Sequence, residues 1–99
     1  MATATYFIAE ALDDRFLGLI GVLETTTLVG PVAYIATMYV TPGERGSGTI
    51  FKRLVDRAEE WAKDEGLSMM LAATRYRKST RIAKGLGWTP LGSDFMKEV

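Results

Sequence analysis

The chain has 99 residues, with 12 Lys plus Arg against 12 Asp plus Glu, and it contains neither Cys nor His. That length specifies one domain, residues 1–99, able to bury a core without metals or disulfides. Zero net charge removes the electrostatic case for nucleic acid or an anionic membrane surface. The missing Cys and His exclude disulfides, thiolate nucleophiles, Cys-ligated zinc and the commonest general base and metal ligand. Glu, Asp, Lys, Tyr, Ser, Thr, backbone groups and water are left for any chemistry, and no metal is expected.

The N-terminus, Met1 to Tyr6, has no basic segment ahead of an apolar stretch, and no apolar run reaches the length of a membrane span. The expectation is a soluble cytoplasmic protein. Residues 5–12 are rich in strand formers, 13–15 read as a turn, and 16–24 form a second apolar run, so a β-hairpin is predicted. A connection over 25–30 leads to a third strand, 32–41, apolar on both faces and therefore central. Pro42 and Gly43 end it. Ile50, Phe51, Leu54, Val55, Ala58, Trp61 and Ala62 then follow the spacing of an amphipathic helix, with charged residues opposite and Gly66 as its stop. A strand over 67–74, a short helix over 78–86 and one or two closing strands, turned at 92–94, complete the pattern. A hairpin followed by strand–helix–strand units predicts the α+β class, a mixed sheet carrying helices.

The informative segment runs from Met38 to Ile50, Met-Tyr-Val-Thr-Pro-Gly-Glu-Arg-Gly-Ser-Gly-Thr-Ile. A strand enters a glycine-rich turn that opens a helix, whose first N–H groups lack partners inside the helix and sit at the positive end of its dipole. Gly46 and Gly48 let a bulky anion approach the backbone, and Arg45 adds a cation, so the turn suits a phosphate. Read alone, the glycines serve equally well as a tight strand-to-helix turn. A Walker A loop would need Lys then Ser or Thr where Thr49-Ile50 stands, and a dinucleotide fingerprint would need Gly or Ala at Phe51; both readings fail.

The segment resembles the GNAT family of N-acetyltransferases, in which a Leu-x-Val-x-Pro strand precedes Arg/Gln-x-x-Gly-x-Gly/Ala and a helix. Met38, Val40 and Pro42 fit the strand, Arg45 and Gly48 fit the turn, and Ile50 departs from the final Gly/Ala. Glu60-Trp61-Ala62 through Gly66 matches the end of the family's helix. Ser79, Ile82, Leu86, Gly87 and Trp88 match its closing helix in type, with Tyr76 in place of Asn and Ala83 in place of Tyr. The resemblance covers residues 5–97. It implies a GNAT-like acyl-CoA N-acyltransferase fold in a minimal version, lacking the family's first strand and first two helices.

The resemblance also implies acetyl-CoA as cofactor and a primary amine of a protein or small molecule as acceptor. By carry-over, Met38, Tyr39 and Val40 offer backbone groups to the pantetheine arm. Arg45, Gly46, Ser47, Gly48, Thr49 and Ile50 bind the pyrophosphate, and Tyr76 and Ser79 lie near the reactive end. Tyr76 is the candidate acid in place of the family's Tyr, with Tyr34 and Tyr39 as alternatives. Glu24, at the end of the second strand, is the candidate base, although a solvated strand-end charge explains it as well. Trp61 and Trp88 read as core anchors. Arg75, Arg77, Lys78, Arg81 and Lys84 form a basic cluster suited to the cofactor's 3′-phosphate, an acidic partner or plain solvation. A sheet edge left uncovered makes a homodimer an expectation. Three functions compete: an active N-acetyltransferase, an acyl-CoA-binding regulatory module without activity, and an interaction protein whose turn binds nothing. Joint retention of the strand and the turn favours the first.

Overall fold

The computed structural model describes residues 4–28, 30–73, 89–91 and 94–98. Among these residues, six strands and one long helix follow in the order β1 (Thr5–Glu10), β2 (Phe16–Thr27), β3 (Gly30–Val40), α1 (Thr49–Asp64), β4 (Met69–Ala73), β5 (Thr89–Leu91) and β6 (Asp94–Glu98). One sheet holds all six strands, ordered β1-β2-β3-β4-β6-β5. Among the described strands only β3 and β4 pair in parallel, and α1 supplies the crossover that a parallel pair requires. The mixed sheet and the central third strand are as the sequence predicts. The second helix expected over 78–86, with Trp88 and the basic cluster, lies outside the described residues.

Two boundaries differ from expectation. The first hairpin strand stops at Glu10, where the register with β2 shifts between Ala9 and Glu10. The turn beyond it closes with the Ala11 N–H on the Arg15 carbonyl at 2.9 Å, and Asp14 takes φ 66°. The predicted connection over 25–30 is mostly strand, since Thr25, Thr26 and Thr27 pair with Val32, Pro31 and Gly30. Three successive β-branched residues favour extension, and Gly30 at φ 105° supplies the backbone geometry at the hairpin end.

Helix α1 buries Ile50, Leu54, Val55, Ala58 and Ala62 in a core with Ile20, Val22, Ala33, Ile35 and Met70 from the sheet. Removing each large apolar side chain from water stabilises the fold by about 1.5–3 kcal/mol. Trp61 is half-buried against this core, as an anchor should be. The helix ends in a Schellman motif: the Gly66 N–H donates to Lys63 at 3.0 Å and the Leu67 N–H to Ala62 at 2.8 Å, with Gly66 at φ 75°. The buried Leu67 then directs the chain into β4.

Lys97 on β6 and Glu59 on α1 form a tertiary ion pair whose side chains are only 24% and 15% exposed. Partial burial makes it stronger than the exposed helix pair Lys52–Asp56. Lys97→Ala, which strands a part-buried carboxylate, is expected to cost about 1–3 kcal/mol in a denaturant titration. Lys52→Ala is expected to cost about 0.5 kcal/mol or less. Among the described residues, no helix is long and apolar enough to cross a membrane.

Candidate active site: an opening between two parallel strands

Among the described residues, strands β3 and β4 pair only over Ala33–Ile35 and Met70–Ala72. Immediately beyond Ile35, β3 carries a bulge. Gly21 pairs with Thr37 and Val22 with Ile35, so Ala36 has no counterpart on β2. From there to Val40, β3 has no partner on its β4 side among the described residues. Among the described residues the two strands part at the bulge, and the far half of β3 is an open edge inside the sheet.

Hydrogen-bond parity decides what that edge offers. The Thr41 N–H donates to the Leu17 carbonyl at 2.9 Å, continuing the register that pairs Tyr39 with Leu19 and Val40 with Gly18. Peptide groups alternate in direction along a strand, so those of Tyr39 and Thr41 turn towards β2, and those of Met38 and Val40 turn into the opening. Of Met38, Tyr39 and Val40, each expected to offer backbone groups to a pantetheine arm, Met38 and Val40 turn theirs into the opening. Tyr39 offers its ring instead, 43% exposed and stacked on Phe16 at 6.2 Å.

The opening leads to the turn. Pro42–Glu44 forms one turn of 3-10 helix, and the chain then bends through Gly48, at φ 73°, into α1. The Gly48 carbonyl accepts the first helical bond, from Lys52 at 2.9 Å, and the Thr49 N–H reaches Ser47 Oγ at 3.3 Å. Among the described residues, none accepts a hydrogen bond from the N–H groups of Gly46, Ser47, Gly48, Ile50 or Phe51. A Cβ at Gly46 would meet no heavy atom within 4 Å, and its φ is not positive. The fold itself therefore does not require glycine at 46. A cradle of free N–H groups with space above it fits a phosphate group.

Ile50 departs from the family pattern without obstructing the cradle. Its side chain is 5% exposed and packs inward, with its Cγ2 3.3 Å from where a Cβ on Gly18 would stand. Arg45 is turned back on the strand: its Nε donates to the Val40 carbonyl at 2.6 Å, and its Cζ lies 5.4 Å from the Tyr39 ring centroid. Glu24 is exposed and pairs with Ala33, on the closed side of the bulge. The distance along β3 from Ala33 to Val40 places it about 20 Å from the turn. Tyr76 and Ser79 lie outside the described residues. No cluster of three or more acidic side chains suited to a metal occurs among the described residues.

The bulge is not announced by the strand pattern of the sequence. Gly21, opposite it, was the available signal, because a glycine inside a strand often marks a bulge or a close approach. It serves both here, since Tyr6 covers it: a Cβ at Gly21 would lie 2.6 Å from Tyr6 Cε1.

The chain belongs to the acetyltransferase (GNAT) family, whose model matches residues 2–88. Solved structures share the fold. A protein classed as an acetyl transferase from Pyrococcus furiosus aligns with TM-score 0.81 and 24% identity over 93% of this chain and 63% of its own. One classed as a streptothricin acetyltransferase from Bacillus anthracis, in complex with acetyl coenzyme A, aligns with TM-score 0.80 and 18% identity, covering 97% and 62%. The PaiA N-acetyltransferase from Thermoplasma acidophilum, in complex with coenzyme A, aligns with TM-score 0.74 and 21% identity, covering 97% and 61%. The chain thus spans less than two thirds of the length of each. No curated protein sequence matches it significantly.

Proposed function

We propose that this chain, acting as one domain, is an acetyl-CoA-dependent N-acetyltransferase that moves an acetyl group to a primary amine of a small molecule or protein. The observation that carries the reading is the continuity of two surfaces that, apart from the Val40 carbonyl held by Arg45 and the Thr49 N–H held by Ser47, have no hydrogen-bond partners among the described residues. The open edge of β3, with the peptide groups of Met38 and Val40, runs directly into the free N–H groups of the 46–51 turn. An amide-bearing arm that ends in phosphates matches that sequence of groups. Family membership and the coenzyme complexes of its structural neighbours support the same ligand.

Acetyl-CoA supplies a thioester whose C–S bond breaks as the C–N bond forms, with the acyl oxygen carrying charge in between. The chain's own part is to bind and orient. Met38 and Val40 hold the arm as a further strand would, and the turn takes the pyrophosphate through neutral N–H donors. The attacking amine must shed a proton, since a free lysine is charged near neutral pH. Glu24 is the carboxylate we assign to take it, through water, and Tyr76 is the residue we assign to the departing sulfur. A homodimer is the arrangement we expect to cover Tyr6 and Ile8, 57% and 59% exposed on edge strand β1. Cytoplasmic placement goes with the supply of acetyl-CoA.

Thiol release from acetyl-CoA, measured with a panel of polyamines, amino sugars, aminoglycosides and lysine peptides, tests the reaction. Amine-dependent release with formation of an N-acetyl product supports it. Tight acetyl-CoA binding with no transfer to any amine would instead assign the chain to a cofactor-binding module without activity.

A further inference from the structure

Arg45 stands where a phosphate-binding turn would use a cation, yet its side chain runs away from the turn. Its Nε donates to the Val40 carbonyl at 2.6 Å, and its guanidinium lies over Tyr39, 5.4 Å from the ring centroid. Tyr39 is fixed in turn by stacking on Phe16 at 6.2 Å, with the rings 11° from parallel. The Val40 carbonyl is one of the groups that strand parity turns into the opening, at the point where β3 ends and the turn begins. Arg45 therefore closes the open edge at its last carbonyl and leaves the Met38 N–H and carbonyl and the Val40 N–H without a partner among the described residues. The same bond spans five residues and ties the start of the turn to the end of the strand.

We propose that Arg45 is a positioning residue, holding the 46–51 turn at a fixed distance from the β3 edge through its Nε–H and the Tyr39 ring rather than lending its charge to the phosphates. This rests on the cofactor reading above. The tie needs a planar N–H donor four bonds from Cα, and glutamine carries one at the same position as arginine Nε. Lysine keeps the charge but has a methylene there. The charge-removing substitution should therefore be tolerated better than the charge-keeping one, the reverse of what a phosphate counter-charge requires.

The experiment is a calorimetric titration of acetyl-CoA into wild type, Arg45→Gln, Arg45→Lys and Arg45→Ala, with the melting temperature of each variant measured without ligand. Arg45→Gln is expected to bind within about threefold of wild type and Arg45→Ala about tenfold or more weaker, with Arg45→Lys closer to alanine. Ligand-free melting is expected to fall for Arg45→Ala and Arg45→Lys and to hold for Arg45→Gln. Wild-type affinity in Arg45→Lys with a tenfold loss in Arg45→Gln would overturn the proposal, as would equal losses in all three. If the wild type itself fails to bind, the cofactor reading falls. The ligand-free series then still decides on the tie, because identical melting of all four proteins would refute it.

Discussion

Gly46→Glu is expected to weaken acetyl-CoA binding by at least about 100-fold, roughly 3 kcal/mol, while melting stays within about 2 °C of wild type. The two halves of that expectation come from different observations. A Cβ at Gly46 would meet nothing within 4 Å, and the residue is not at positive φ, so the folded chain accepts a side chain there. The neighbouring N–H groups have no acceptor among the described residues, so a carboxylate at 46 would compete for them and repel a pyrophosphate. Calorimetry alongside differential scanning separates the two effects. A variant that melts far lower would place Gly46 in the fold rather than in the site.

Gly18→Ala is expected to do the opposite and act through the fold. The added Cβ would stand 2.6 Å from the Tyr39 carbonyl oxygen and 3.2 Å from Leu54 Cδ1, with α1 above it. The near atom is backbone in a paired strand, so relief requires β2 and β3 to separate or α1 to lift. Overpacking of this kind costs about 1–3 kcal/mol, which for a chain of this size lowers melting by roughly 5–20 °C. Because the displaced carbonyl belongs to Tyr39, on which Arg45 rests, weaker cofactor binding should accompany the loss of stability. Equal melting of Gly18→Ala and wild type would show that the α1–β2 contact is looser than these distances indicate.

Much of this was legible in the sequence because the signals were local. The switch from strand runs to the helical spacing of Ile50, Leu54, Val55, Ala58 and Ala62 located α1. The glycine turn ahead of it located the segment whose N–H groups lack acceptors among the described residues. Gly66 marked the helix end that the Schellman bonds of Gly66 and Leu67 confirm. What the sequence did not reveal depends on partners distant along the chain. The bulge at Ala36 exists only relative to Gly21 and Val22 on β2, and the parting of β3 from β4 only relative to Met70–Ala72. Which of Met38, Tyr39 and Val40 faces the opening is likewise a matter of register. The direction of Arg45 was not legible for a simpler reason: a cation beside a glycine-rich turn suggests charge pairing with a phosphate, while a strand carbonyl five residues back is invisible in sequence.

In the proposed function, the β3 edge and the 46–51 turn together hold one acyl-CoA molecule. Isothermal titration of acetyl-CoA, with pantetheine as the ligand that keeps the arm but lacks the phosphates, tests it most directly. Saturable one-to-one binding of acetyl-CoA, at least about 100-fold tighter than pantetheine, is the predicted result. No binding of acetyl-CoA at millimolar concentration, or equal affinity for the two ligands, would contradict it.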